Sequence, residues 1–352
     1  MGMNTIAIDV ASEVSSVCIL RGSGQLLLEE SVPTKIKEFR RLIKLVNRPR
    51  QVVMEEGTQA AWLFSELSGL CDDVFVCDPR QNRALSGPFK NDRNDALNLA
   101  KRAQMGALKR VWHGGKELQN LKEAVRLYQC LTEESTRLKN QIKAVFRSCG
   151  VAVGQKAYQE QSRKKVVREL RLTIQRERVE RLGKLLDEVS EQRSEALRTM
   201  IKCARRIKNY AALRRIDGIG PIFAAMFLSE VGDPNRFRTS RQLWSYAGLA
   251  IATDLTAEFK VVGNQVIRKP ELKRTRGLVC AYNRTLKYVL KQAAKTLSRT
   301  KWKTYYQNLL QRSKNANNAQ LTMARKLAAI MLHIAKTGEK YDITKVFTTH
   351  KV

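Results

Sequence analysis

The 352-residue sequence predicts an α/β domain at the N-terminus followed by helical regions. Three observations carry this reading. Short apolar runs separated by turn residues fill the first part of the chain. From Lys116 to about Lys208 the apolar residues instead recur at helical spacing. The charge balance also shifts: residues 1–112 hold 16 basic and 13 acidic side chains, residues 113–256 hold 28 and 16, and residues 257–352 hold 21 and 4. These shifts divide the chain into 1–112, 113–208 and 209–352.

Thr5–Val10 reads as a first strand, Ser15–Leu20 as a second, and Gln25–Val32 as a third beyond a hairpin turn at Gly22–Gly24. Ile36, Phe39, Leu42, Ile43 and Val46 have helical spacing within Pro33–Val46. Gln51–Met54 is a buried-strand candidate, Ala60–Leu70 a helix, and Val74–Val76 a strand closed by Asp78–Pro79. Three strands, a helix, a strand, a helix and a strand describe a mixed layer with a hairpin-built edge, the element order of RNase H/RuvC-like nucleases.

Leu121, Val125 and Tyr128 begin an apolar stripe that Leu138, Ile142 and Val145 continue. Val179, Leu182, Leu186, Val189, Ala196 and Met200 form a second, and the 3-4 spacing is coiled-coil-like. With a break at Gly150–Gly154, the pattern describes an antiparallel helical arm, for spacing or dimerisation, or a plain helical bundle. Next, Ile216–Pro221 sets Gly218 and Gly220 around Ile219 ahead of the apolar helix Ile222–Val231. That is the turn of a helix-hairpin-helix, where glycines let backbone approach a phosphate, or an ordinary turn between helices.

A formal charge of +32 and a pI of 10.2 point to a polyanionic partner, nucleic acid before membrane. No apolar run approaches the ~20 residues a bilayer requires. Met1–Leu20 carries Asp9 and Glu13 within its apolar stretch, which does not read as a cleavable signal. Seven scattered cysteines without a C-x-x-C pair, and three histidines, offer no zinc spacing and fit a reducing cytoplasm. In the tail, Lys269, Lys273, Arg274, Arg276, Arg284 and Lys287 are interleaved with Tyr282, Tyr288, Trp302, Tyr305 and Tyr306. Cations for phosphates beside rings for stacking suit nucleic acid, and helical spacing also allows Tyr288 and Trp302 a core role.

Four acids stand at element ends. Asp9 closes the first strand and Glu55 the fourth, while Asp92 and Asp95 precede the apolar-patterned Ala96–Ala103. Spacing of i, i+3 sets both aspartates on one helical face. Together the four can hold one or two Mg²⁺ (or Mn²⁺) ions for phosphodiester chemistry. Any one alone is an ordinary surface or capping carboxylate. Glu56 competes with Glu55, but consecutive strand residues face opposite ways, and Glu55 directly closes the apolar run.

These residues resemble the DEDD-type insertion-sequence transposases, the bridge-RNA-guided recombinases related to pilin-gene invertases. Ala7–Ala11 resembles the first-Asp motif, Met54–Thr58 with Trp62 the Glu motif, and Lys90–Ala96 the final D-x-x-D motif. Leu138–Ile142 sits where the family has its long helices. Ile216–Pro221, Phe237–Leu249, Thr275–Leu278, Asn283–Lys287 and Met323–Ala328 match in order and character. The resemblance implies a RuvC-like domain holding Mg²⁺, a coiled-coil arm and a C-terminal transposase domain. It further implies an oligomer, a homodimer or homotetramer, acting on element-end and target DNA with a structured guide RNA. In the family a C-terminal Ser attacks DNA and forms a covalent phosphoserine. Here the best-matching position is Thr256, with Thr253 second, and the methyl of Thr crowds in-line attack. Two other functions fit the same residues: a water-using nuclease for branched DNA, and a domesticated binding protein without strand transfer.

Overall fold

The computed structural model describes residues 2–79, 92–256, 259–262, 265–268 and 272–348. It divides into two units, Met1–Lys116 and Glu117–Val352. In the first, β1 (Asn4–Asp9), β2 (Val14–Leu20) and β3 (Leu26–Pro33) form an antiparallel meander. There follow α1 (Ile36–Lys44), β4 (Arg50–Glu55), α2 (Ala60–Leu67), β5 (Asp73–Cys77), α3 (Asp92–Gln104) and β6 (Arg110–Val111). The sheet order is β3-β2-β1-β4-β5-β6, with β1, β4 and β5 mutually parallel and β6 antiparallel to β5. Each element expected between Thr5 and Val76 is present. The two-residue strand β6 was not foreseen, being too short to leave a pattern.

Both faces of this sheet are covered, so β1 and β4 read as continuous apolar runs rather than alternating ones. Ile6, Ile8, Val52 and Met54 pack against Phe39, Leu42 and Leu63 of α1 and α2. Ala7, Val53, Phe75 and Cys77 pack on the opposite face against Ala96, Leu99, Ala100 and Ala103 of α3. Strand β3 lies at the edge, and its burial alternates accordingly.

The second unit opens with α4 (Lys116–Ser148), followed by α5 (Glu160–Val166), α6 (Thr173–Ala204), α7 (Tyr210–Leu213), α8 (Pro221–Val231) and α9 (Ser240–Tyr246). Four strands come next: β7 (Ile251–Thr256), β8 (Phe259–Val262), β9 (Gln265–Arg268) and β10 (Leu272–Leu278). Helices α10 (Arg284–Leu297), α11 (Lys303–Ser313), α12 (Ala316–Thr337) and α13 (Ile343–Thr348) complete it. The stripes of α4 and α6 serve two cores. Leu121, Val125 and Met200 join Phe227, Leu290 and Leu327 of α8, α10 and α12. Farther along, Leu138, Ile142 and Phe146 join Val179 and Leu186.

The unit is mainly helical, yet β7 pairs antiparallel with β10, and β8 with β9, where sequence reading anticipated no strands. The physical reason lies in the sequence itself. Ile251–Thr256 and Leu272–Leu278 carry charged or hydroxyl residues at half or more of their positions, so neither shows the apolar signature of a core strand.

Candidate active site and nucleic-acid interface

Asp9 and Glu55 stand one residue beyond Ile8 and Met54, the last paired positions of the parallel strands β1 and β4. Side chains alternate along a strand, so Asp9 shares the face of Ala7, and Glu55 that of Val53. That face is the one α3 covers. Both acids are half-buried at adjacent strand ends.

The direction of α3 follows from its far end. Gln104 donates its amide Nε2–H to the Arg21 carbonyl at 2.8 Å, next to the β2–β3 turn. Leu20 at that end of β2 pairs with Thr5 at the start of β1. Helix α3 therefore runs opposite to β1, and its first turn, with Asp92 and the exposed Asp95, lies toward the strand ends that bear Asp9 and Glu55. The side chain of Asp92 is outside the described residues. Among the described residues no three His, Cys, Asp or Glu side chains converge closely enough to hold a metal. The donor chemistry, carboxylate oxygens only, suits a hard divalent cation such as Mg²⁺ or Mn²⁺.

Glu56 turns the other way. Its Oε2 lies 2.7 Å from Nε2 of His113, whose ring lies 5.3 Å from that of Phe64, and Phe64 packs against the α1/α2 core. This pairing holds Glu56 away from the α3 face. His113 escaped sequence reading because nothing in its local pattern links it to a strand end 57 positions earlier.

In the second unit, Gly218 and Gly220 form the turn between α7 and α8. Gly218 has φ +75°, and a Cβ there would sit 2.9 Å from Cγ of Leu297, so both backbone and space require glycine. Gly220 caps α8, with Pro221 at its first position. Asp217 meets Nζ of Lys301 at 2.7 Å. Gly218, Gly220 and Arg284 line one groove of about 990 Å³ between α4, α8 and the start of α10. Lys287, one turn on from Arg284, holds its ammonium 3.7 Å from the ring centre of Tyr282.

Thr256 is the last residue of β7 and pairs with Leu272 of β10. Lys273 and Arg274 on β10 face Leu255 and Asp254 across the ladder, and Arg276 follows on the same strand. The side chains of Thr256, Lys273, Arg274 and Arg276, and the whole of Lys269, lie outside the described residues.

Two transposase family models match the chain. One, of the DEDD type found in IS110 elements, covers residues 6–150, and the other, for the IS116/IS110/IS902 family, covers residues 210–307. The chain belongs to the IS110-type transposase family. Relatives bearing transposase names agree. One from Sinorhizobium fredii (y4qE) is 24% identical over 95% of this chain and 89% of its own length. A family 20 transposase, so named, from Pseudomonas aeruginosa is 24% identical over 94% and 96%. The transposase for insertion sequence element IS1111A of Coxiella burnetii is 23% identical over 69% and 67%.

The two matched segments contain every candidate residue of this transposase. The first spans β1, β4 and α3, and the second spans the Gly218–Gly220 turn, β7 to β10 and the start of α10. Outside them, the transposase builds several tail cations into its fold. Arg325 donates from Nε to the Leu249 carbonyl at 2.7 Å, while its own carbonyl accepts from the Trp244 indole at 2.9 Å. Lys336 donates to the Phe237 carbonyl at 2.6 Å, and Lys326 lies 4.7 Å from the ring centre of Tyr305. Burial holds Arg325 and Lys326 below their ordinary pKa values. The tail's cations are thus not uniformly available for phosphate. Trp302 is fully buried against Tyr305 and Phe347, which removes it as a stacking platform, whereas Tyr288 is 53% exposed.

Proposed function

We propose that this transposase cuts and rejoins DNA at a divalent-metal site formed by Asp9, Glu55, Asp92 and Asp95, with the hydroxyl of Thr256 as nucleophile and a structured RNA as guide. The observation that carries the reading is the shared sheet face: Asp9 and Glu55 leave adjacent parallel strand ends toward the helix whose first turn bears Asp92 and Asp95. The strand order β3-β2-β1-β4-β5 supports an RNase H/RuvC-like assignment for residues 1–112. Residues 113–208 then serve as a coiled-coil arm for a homodimer or homotetramer. Residues 209–352 act as the transposase domain that contacts DNA and RNA, through the Gly218–Gly220 turn and the cations Lys269, Lys273, Arg274, Arg276, Arg284 and Lys287.

Mg²⁺ or Mn²⁺, when bound, would neutralise charge on the attacking and leaving oxygens of the scissile phosphate. The carboxylates would hold and orient it from two central strand ends and one helical turn. In the transfer step the Thr256 oxygen bonds to phosphorus and gives up its proton as the bond to the leaving deoxyribose oxygen breaks, and that oxygen takes up a proton to become a free hydroxyl. A phosphoester thus replaces a phosphoester, and rejoining requires no external energy source.

The experiment incubates the full chain with element-end DNA, target DNA, the flanking non-coding RNA and Mg²⁺. Strand exchange and a protein–DNA adduct on a denaturing gel are expected, and Thr256→Ala should abolish the adduct while DNA binding persists. Full activity of Asp92→Ala would sink the metal assignment. Cleavage without any adduct would make water the nucleophile.

A further inference from the structure

The groove of about 990 Å³ in the second unit has two unlike walls. Along α4, Tyr128 heads a row that continues with Gln129, Thr132, Glu133, Thr136, Arg137 and Asn140. They recur at three- and four-residue spacing on one helix face, beside the apolar stripe that α4 gives to its cores. Opposite them, Ile222, Phe223 and Met226 of α8 form an apolar floor. Tyr288 of α10 stands half-exposed at the edge, its ring perpendicular to that of Phe223 at 6.2 Å between centres. An apolar face beside a mixed row of amide, hydroxyl and charged groups, in which Gln129 already donates to Thr285 and the Thr132 and Thr136 hydroxyls keep their oxygens free to accept, matches a nucleobase, whose π-faces are apolar and whose edge is lined with donors and acceptors. A docked amphipathic helix would instead require apolar residues on both walls.

The charge at the rim points the same way. Arg284 and Lys287 occupy the first turn of α10, which holds no acidic residue. Cations at a helix N-terminus oppose the helix dipole; Lys287 is held over the Tyr282 ring, so it is Arg284 that helix stability leaves unexplained and an anion above that turn accounts for. Arg137 on the α4 wall is already held by both oxygens of Glu134 at 2.6 and 3.0 Å, which leaves Arg284 as the phosphate partner among the lining residues. The unit around the groove carries 48 basic and 20 acidic residues.

We propose that this groove receives one unstacked nucleotide of bound DNA, its base against Tyr288 and Phe223 and its phosphate on Arg284. The inference rests on the DNA-cutting reading above and adds to it a site for an extruded base. A strand that is cut and exchanged must leave its duplex, and an extruded base held in a pocket stabilises the opened form.

The test measures binding of the full chain, by fluorescence anisotropy, to a short DNA duplex and to the same duplex with one unpaired adenosine. The bulged duplex should bind more tightly by ~5- to 100-fold, the range one stacked base contributes. Tyr288→Ala should erase that preference, whereas Tyr288→Phe should retain it. Equal affinity of the wild-type chain for both duplexes, or a preference that survives Tyr288→Ala, would overturn the inference and leave the DNA-binding reading standing. Failure to bind either duplex would remove both. A preference for bulged RNA but not bulged DNA would overturn the assignment to DNA.

Discussion

Glu55 and Glu56 are neighbours in sequence and face opposite ways. Strand alternation sends Glu55 toward α3, while Glu56 pairs with His113 at 2.7 Å. The two therefore separate in a cleavage assay. Glu55→Gln should lower strand cleavage ~100-fold or more, as expected for loss of a metal-binding carboxylate in phosphoryl transfer. Glu56→Gln should stay within a few-fold of wild type. A comparable loss in both variants would show that Glu56 shares the site. The preference for Glu55 rests on local pattern, because only one of two consecutive strand residues can face the site and Glu55 is the one that directly closes the apolar run. The partner of Glu56 was not legible beforehand, because His113 reaches it only through the fold. Thr256 is legible as a hydroxyl near the family position, but the catalytic part proposed for it depends on chemistry that local pattern does not encode.

At the scale of elements, the long helices show how one glycine admits a neighbour. Arg163 of α5 is buried, and its guanidinium lies over Gly183 and pairs with Asp187. A Cβ at position 183 would sit 2.2 Å from Nε of Arg163. Glycine within a helix ordinarily costs ~0.5–1 kcal/mol relative to alanine, so Gly183→Ala on an exposed helix would stabilise. Here the sign reverses: Gly183→Ala should destabilise by ~1–3 kcal/mol as Arg163 is displaced. Urea unfolding followed by circular dichroism checks this, and a gain in stability would show that Arg163 does not occupy that position in solution. The helices themselves were legible from their stripes. The short helical segments between α4 and α6, and the strands β7 to β10, were not, since neither carries a sustained apolar period.

For the molecule as a whole, the net charge of +32 resolves into two unequal shares. The first unit holds 17 basic and 13 acidic residues, and the second 48 and 20. Nucleic-acid affinity should therefore depend steeply on salt, with ~10³- to 10⁵-fold lost between 50 and 200 mM if roughly six to ten phosphates are contacted. Replacing both Arg284 and Lys287 by Glu should flatten the slope of log affinity against log salt, whereas replacing Lys336, whose ammonium is committed to the Phe237 carbonyl, should leave that slope unchanged. An unaltered slope in the Arg284/Lys287 variant would remove those residues from the interface.

By itself, the sequence determined the sheet strands β1 to β5, the two long helices, the glycine turn, the four acids at element ends and the membership in a transposase family. All of these rest on short-range periodicity, on turn chemistry or on motif order, which neighbouring residues carry. Tertiary structure alone decided which face the strand-end acids share, and that α3 runs back over them. It likewise decided that Trp302 is core while Tyr288 is open, and that a polar row on α4 stands across a groove from α8. Each of these is a meeting of residues far apart in the chain. Such meetings are set by how apolar faces are buried together, and no local pattern records them.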